Sequence, residues 1–188
     1  FSFARYAFVA DSSAGLQILD VSNPANPTLA GCYTNCDVVK GVVSIGNDAA
    51  GYYALLADGT NGLQVLNVSV PSVPVRIGGC ALTNGFAEGV AVVGNYACLA
   101  MGRAGLLVVD VSDPYNPVKM GVCDTVGYAK AVAVSGNYAY VADGNWGLQV
   151  IDVSNPASPL RVGGFNTSGY SQGVAVSGNC VYVGDSDA

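Results

Sequence analysis

Histidine is absent from this sequence of 188 residues. The chain therefore has no Ser-His-Asp or Cys-His pair for nucleophilic catalysis and no imidazole to bind a metal. A glycine-rich phosphate loop that leads into a helix is also missing. These absences predict that the protein is not an enzyme.

Helix-forming residues are scarce: one Glu, three Lys and two Met stand against 25 Gly, so we expect no sizeable helix. The apolar runs are short and are interrupted by Gly, Asp or Asn, which predicts that no segment spans a membrane. No secretory leader is visible. The net charge of −6 comes from an excess of Asp, and it disfavours a nucleic-acid partner, which would need a basic stripe.

What the chain does contain is a repeated unit. The step Gly-Leu recurs about every 42 to 47 residues, and an Asp or Asn and a Pro follow it at matching distances. A period of this length is typical of propellers and solenoids. The Gly-Leu steps are at 15–16, 62–63, 105–106 and 147–148, and a further copy begins near Cys180.

Each unit predicts four short strands, which in the last full copy cover residues 132–135, 138–142, 148–153 and 160–165. The pair Gly136-Asn137 predicts a tight hairpin between the first two strands. Four strands per 42 residues predict an all-β protein, a β-propeller built from four-stranded blades. A β-sandwich is the alternative, but it gives no reason for a repeat of this length.

The expected organisation is a single propeller or propeller segment over residues 1–188. Residues 37–84, 85–126 and 127–168 form whole blades, whereas 1–36 and 169–188 form partial ones. Partial blades would leave unpaired strand edges, and such edges favour pairing with another chain. We therefore expect either a segment of a longer array or self-association through the ends.

The segment LQVIDVSNP, residues 148–156, resembles the signature of the LVIVD-repeat family, as do residues 16–24 and 106–114. Residues 63–71 depart from it, with Asn67 in place of Asp. The resemblance implies a β-propeller on bacterial or archaeal surface or secreted proteins, and it implies no catalytic residues.

The six cysteines permit disulfides without requiring them. Four of them, Cys80, Cys98, Cys123 and Cys180, replace aromatic or aliphatic residues of sister repeats, which favours buried small side chains. Cys32 and Cys36, on either side of a three-residue loop, are the first candidates for a disulfide. Cys80 and Cys98, on neighbouring blades, are the second.

The candidate binding site is one mouth of the central channel. Counted across each first hairpin, Lys40 faces Asp58, Glu88 faces Met101, Lys130 faces Asp143 and Gln172 faces Asp185. These pairs would serve either as structural pairs or as a polar ring, because first strands line the axis of a propeller. The predicted ligand-binding residues are Lys40, Glu88, Lys130, Gln172, Tyr128, Tyr170 and Trp146.

We expect no cofactor and no metal. Residues 143–147 and 185–187 offer oxygen ligands of the kind that calcium prefers, but neither loop supplies the six to eight that it needs. Asp20, Asp110 and Asp152 are predicted to cap turns.

The function that these features favour is non-catalytic: an extracellular or cell-surface scaffold, adhesion or protein-interaction module, with a surface protein or glycan as partner. The alternative is a carbohydrate-binding or carbohydrate-active propeller that uses the channel mouth.

Overall fold

The computed structural model describes residues 5–47, 51–82 and 84–186, with only the backbone of Asn47. This part of the chain consists of seventeen strands and contains no helix long and apolar enough to cross a membrane. In chain order the strands are β1 (Tyr6–Ala10), β2 (Leu16–Asp20), β3 (Thr28–Tyr33), β4 (Val39–Asn47), β5 (Gly51–Asp58), β6 (Gly62–Asn67), β7 (Val75–Cys80), β8 (Gly89–Val93), β9 (Tyr96–Ala100), β10 (Leu106–Asp110), β11 (Val118–Cys123), β12 (Ala131–Ser135), β13 (Tyr138–Ala142), β14 (Leu148–Asp152), β15 (Leu160–Phe165), β16 (Tyr170–Ser177) and β17 (Cys180–Ser186).

The strands form five antiparallel sheets in the order of the sequence, which we call blades 1 to 5. Blade 1 contains β1–β3, blade 2 β4–β7, blade 3 β8–β11, blade 4 β12–β15 and blade 5 β16–β17. The first strands β4, β8, β12 and β16 contact one another in turn, as the innermost strands of a propeller do. The predicted propeller fold is confirmed, and a sandwich of two facing sheets is excluded.

The hydrophobic core lies between blades. Adjacent residues of a strand point to opposite faces, so Leu55 packs towards blade 3 while Leu56 packs towards blade 1. Three core clusters result, one each between blades 1 and 2, 2 and 3, and 3 and 4. This explains the near-continuous apolar strands of the sequence, since both faces of a blade are covered.

Local turn chemistry fixes the ends of the strands. The hairpins at Gly94, Gly136 and Gly178 have φ between 55° and 57°, a conformation that glycine adopts without strain. After each third strand an acid or amide accepts a backbone hydrogen bond two residues on, as Asp110 Oδ1 does from Ser112 N at 2.8 Å. The same contact is made by Asp20, Asn67 and Asp152, which confirms the predicted caps.

The outer rim brings neighbouring blades very close. A β-bulge interrupts each outermost strand of blades 1 to 4, and in blades 1 to 3 the glycine that follows it faces the Pro-containing turn of the next blade. At Gly78 an added Cβ would lie 2.2 Å from the Pro114 carbonyl oxygen. Only glycine therefore allows this approach.

Candidate functional site

The predicted mouth residues lie at one end of the inner strands, next to a set of bridges that join successive blades. Four isolated bridges connect the loop after a second strand to the residue just before a mouth residue. They pair Ser12 with Val39, Gly59 with Ala87, Gly102 with Ala129 and Gly144 with Ser171. These bridges hold the start of each inner strand against the preceding blade.

Glu88 is the centre of a charged group that we call the mouth cluster: Lys40, Glu88, Tyr128 and Lys130. Its Oε2 lies 3.4 Å from Lys40 Nζ and 3.6 Å from Lys130 Nζ, and Tyr128 Oη donates to its Oε1 at 2.8 Å. The side chain of Glu88 is only 5% exposed. Three blades thus contribute to one buried carboxylate, and each of its oxygens has a partner.

Each of the two lysines forms a cation–π contact with an aromatic ring. Lys130 Nζ lies 4.9 Å from the centre of the Tyr128 ring, and Lys40 Nζ lies 5.5 Å from that of Phe86. Burial, and secondly the bond to Glu88, raise the pKa of Tyr128 to about 12. Tyr128 therefore stays a neutral hydrogen-bond donor at physiological pH.

Two of the four predicted cross-strand pairs are wrong. Val39, and not Lys40, lies opposite Asp58, and Ser171, and not Gln172, lies opposite Asp185, because a bulge shifts the register by one residue. A shift by one residue sends a side chain to the other face of the sheet. The lysines therefore pair with Glu88 of the middle blade instead of with acids of their own hairpins.

The acidic residues that were predicted to pair with these lysines accept hydrogen bonds from uncharged donors instead. Buried Asp143 accepts Thr125 Oγ1 at 2.7 Å and Gly127 N at 3.0 Å, which ties the linker between blades 3 and 4 to the end of β13. Burial raises the pKa of Asp143 to about 6, although both donors lower it. The sequence contains the pattern behind this contact twice. In the next repeat, Thr167 and Gly169 form the same hydrogen bonds with Asp185.

The other predicted site residues lie near the mouth cluster but outside it. Gln172 is exposed and donates to Ser186 Oγ at 3.1 Å, and the Tyr170 ring covers Gly144. The Trp146 side chain is 49% exposed, with its ring edge against Gly127, one residue before Tyr128. The structure thus brings together four of the seven predicted mouth residues. Among the described residues, Gln172, Tyr170 and Trp146 form no hydrogen bond or ion pair with Glu88.

The cysteines are free thiols in the structure, so neither candidate disulfide is formed. Cys80 packs in the core between blades 2 and 3, whereas Cys98 points to the opposite face of its strand, towards blade 4. This alternation separates the second candidate pair. Cys32 is exposed and Cys36 partly buried, its Sγ 3.9 Å from the carbonyl oxygen of Tyr33. Cys80 and Cys98 are buried as predicted, Cys123 is only partly so, and Cys180 is exposed.

No group of His, Cys, Asp or Glu that could hold a metal ion occurs within residues 5–47, 51–82 and 84–186. Asp143 uses both carboxylate oxygens on its own linker. Asp185 does the same with Thr167, Gly169 and Ser171. Asp187, which belonged to the second candidate calcium loop, lies outside the described residues.

Comparisons with known proteins agree with this architecture. No curated protein matches the chain in sequence, whereas 108 chains among the solved structures are similar to it. The crystal structure of the computationally designed Ika8 protein aligns with a TM-score of 0.69 at 7% identity. The alignment covers 98% of this chain and 54% of that one, so this chain spans about half the length of Ika8, and the likeness concerns the fold alone.

The sequence profile of the LVIVD repeat matches residues 5–35, 48–81, 84–125, 126–167 and 168–188. The five matched stretches follow the order of the five blades, and the second of them begins after β4. Because these matches cover most of the chain, it belongs to the LVIVD-repeat family.

Proposed function

We propose that this chain is a non-catalytic module of an extracellular or cell-surface protein, and that it is a rigid scaffold which binds a protein partner. The observation that carries the proposal is the apolar outer edge of blades 2 and 3. Their outermost strands, β7 and β11, each pair on one side only among the described strands. Val75 on β7 and Val118 on β11 are both exposed.

The turn before β7 extends this apolar edge. Val70 and Val73 are exposed there, and with Val75 and Ile77 they line a recess of about 470 Å³. Blades 2 and 3 both have described neighbours on either side, so the exposure is not a feature of the terminal blades. An exposed apolar patch beside a free strand edge suits a partner segment that adds as a further strand.

The mouth cluster supports a structural role for the centre of the molecule. Glu88 is engaged by two lysines and one tyrosine, so neither of its oxygens is available as a general acid or base without breaking these contacts. The cluster joins blades 2, 3 and 4 and thereby fixes their relative positions.

Binding of the fluorescently labelled chain to intact cells of the producing organism tests the proposal. Val75→Asp should reduce the bound signal about tenfold, since it places a charge in the apolar edge. Thr28→Asp is the matched control, because Thr28 has the same repeat position on blade 1 and is polar and exposed. Equal binding by wild type and Val75→Asp, or no binding to the cell surface, would overturn the proposal.

The alternative is a carbohydrate site at the mouth, for which the half-exposed Trp146 is the supporting observation. It receives less support from Tyr128 and Phe86, because lysines cover their ring faces. Glycan binding that is lost in Trp146→Ala would favour this alternative, and binding that survives Trp146→Ala combined with Tyr128→Ala would exclude it.

A further inference from the structure

Gln64 on β6 is a buried side chain with an unused acceptor. The residue is 6% exposed, and its Nε2 donates to Asp58 Oδ2 at 2.9 Å. Its Oε1 accepts no hydrogen bond from any residue that the structure describes. Because a carboxylate accepts and does not donate, the amide group must face Asp58 and the oxygen must face away from it.

In blade 4, the glutamine at the same repeat position has hydrogen-bond partners for both its amide group and its oxygen. Gln149 is the repeat equivalent of Gln64, and Arg161 is the equivalent of Arg76. In blade 4, Arg161 Nε donates to Gln149 Oε1, while the Gln149 amide donates to the Trp146 carbonyl oxygen at 2.7 Å. In blade 2 the amide turns to Asp58 instead, so the contact between Gln64 and Arg76 is not made.

These two unused groups line one cleft, which we call the Gln64 cleft. It has a volume of about 380 Å³, opens to solvent and is lined by Asn35, Thr60, Asn61, Gln64, Arg76 and Ala81. Arg76 is exposed and forms no hydrogen bond or ion pair with a described residue. The cleft therefore contains the guanidinium group of Arg76 and the buried acceptor Gln64 Oε1, and it lies at the border of blades 1 and 2.

The chemistry of the lining selects a class of ligand. An arginine without a partner favours a carboxylate, which it can bind through two parallel hydrogen bonds. The buried Gln64 oxygen requires a donor, and a hydroxyl group supplies one. Small-molecule sites of several hundred Å³ with a few convergent polar groups accommodate a ligand of about sugar size.

We propose that the Gln64 cleft binds a hydroxylated carboxylate of the uronic acid class. The ligand carboxylate pairs with Arg76, and a ring hydroxyl donates to Gln64 Oε1. This site shares no residue with the mouth cluster. Arg76 lies on β7 beside Val75 of the apolar outer edge, but the uronic acid proposal rests on Gln64 and Arg76 and does not depend on the function proposed above.

Calorimetric titration with D-glucuronate as the probe tests this site. D-glucose, which lacks the carboxylate, and cyclohexanecarboxylate, which lacks the hydroxyls, serve as comparison ligands. We expect a Kd for glucuronate in the millimolar range or tighter, and binding of each comparison ligand at least about tenfold weaker.

The repeat supplies the variants and their controls. Gln64→Leu reproduces Leu107 of blade 3, and Arg76→Leu reproduces Leu29 of blade 1, so the blade accommodates both. Each should weaken glucuronate binding about tenfold or more. Gln149→Leu and Arg161→Leu, at the matching positions of blade 4, should leave it unchanged.

Chemical shifts of the Gln64 and Asn61 side-chain amides on addition of glucuronate locate binding without any variant, should Gln64→Leu fail to fold. A uronate disaccharide in a parallel titration distinguishes a free sugar acid, which it would not surpass, from the end of an acidic polysaccharide, which it would. No glucuronate binding, equal binding of glucose, or equal losses in the blade 4 variants would overturn the proposal.

Discussion

Aspartate has two opposite roles in this repeat, and its surroundings decide between them. At the exposed turns after the third strands, hydrogen bonds from Ser112 and Ser154 lower the pKa of Asp110 and Asp152. At the end of β13, burial raises the pKa of Asp143 to about 6. The first group stabilises the fold as carboxylates, whereas Asp143 is easier to bury as the neutral acid.

The raised pKa of Asp143 predicts that this residue contributes a pH dependence of stability between about pH 4 and pH 6. In that range folded Asp143 retains a proton that the unfolded chain has lost, so its stabilising contribution, complete below about pH 4, disappears as pH rises to 6. The difference in the free energy of unfolding between wild type and Asp143→Asn should fall by about 1 to 3 kcal/mol over this range. Urea unfolding at several pH values measures it.

Asp152→Asn is the control for this experiment. Because the pKa of Asp152 is lowered, its contribution is present above about pH 4 and is lost only as pH falls further. The difference between wild type and this variant should therefore stay constant from pH 4 to pH 6. A constant difference for Asp143→Asn as well would contradict the prediction.

At the scale of the strand and its loop, a glycine and an aromatic ring join each blade to the next. Tyr128 covers Gly102 and Tyr170 covers Gly144, and both glycines have φ of 57°. At the first of these junctions a serine, Ser12 (φ 47°), replaces the glycine, and the smaller Val38 replaces the aromatic residue. The chain thus contains two compatible versions of one contact.

Gly144→Ser should lower the free energy of unfolding by about 2 to 3 kcal/mol. The backbone conformation alone costs about 1 kcal/mol, and the new Cβ would lie 3.0 Å from the Tyr170 ring. Adding Tyr170→Val should recover about 1 kcal/mol of the loss that Gly144→Ser causes, since this pair of residues imitates Ser12 and Val38. Thermal or urea unfolding of the single and double variants measures the coupling.

Gly136→Ser separates the two causes. Its φ is 56°, but an added Cβ has no atom within 4 Å, so this variant should show only the backbone cost of about 1 kcal/mol. Equal losses for Gly136→Ser and Gly144→Ser would show that the ring contact contributes nothing.

At the scale of the whole molecule, stability resides between blades. The cluster between blades 2 and 3 includes Leu55 from one blade and Leu99 from the other, both fully buried. Neighbouring units that share a core in this way have a stability that depends on each interface as well as on each unit.

Leu99→Ala should therefore destabilise blade 2 as well as blade 3. We expect a loss of about 2 to 5 kcal/mol in the free energy of unfolding, as for other buried leucines. Hydrogen exchange should show faster exchange in β5 and in β9. Val118→Ala, on the exposed face of the same blade, should change stability by less than about 0.5 kcal/mol. Protection that is lost in blade 3 alone would contradict this view of the core.

The repeat, the strands and the fold class follow from the amino-acid sequence without any coordinates. Apolar strands, hairpin glycines and turn-capping acids are local features, and they act over a few residues, so their pattern is legible without coordinates. The strands predicted for residues 138–142 and 160–165 agree with β13 and β15 to the residue. The group of Lys40, Glu88 and Lys130 at one mouth was also predictable, because the repeat places them equivalently.

Which of these groups contact one another depends on how the blades pack. One inserted residue at each bulge turned Lys40 away from Asp58 and towards Glu88 of the next blade, and no local pattern reports such a shift. The same holds for Gln64, whose sequence position is that of Gln149 but whose amide is taken by Asp58. Contacts between blades depend on distances that are set by the packing of whole sheets, and this is why they could not be read from the repeat.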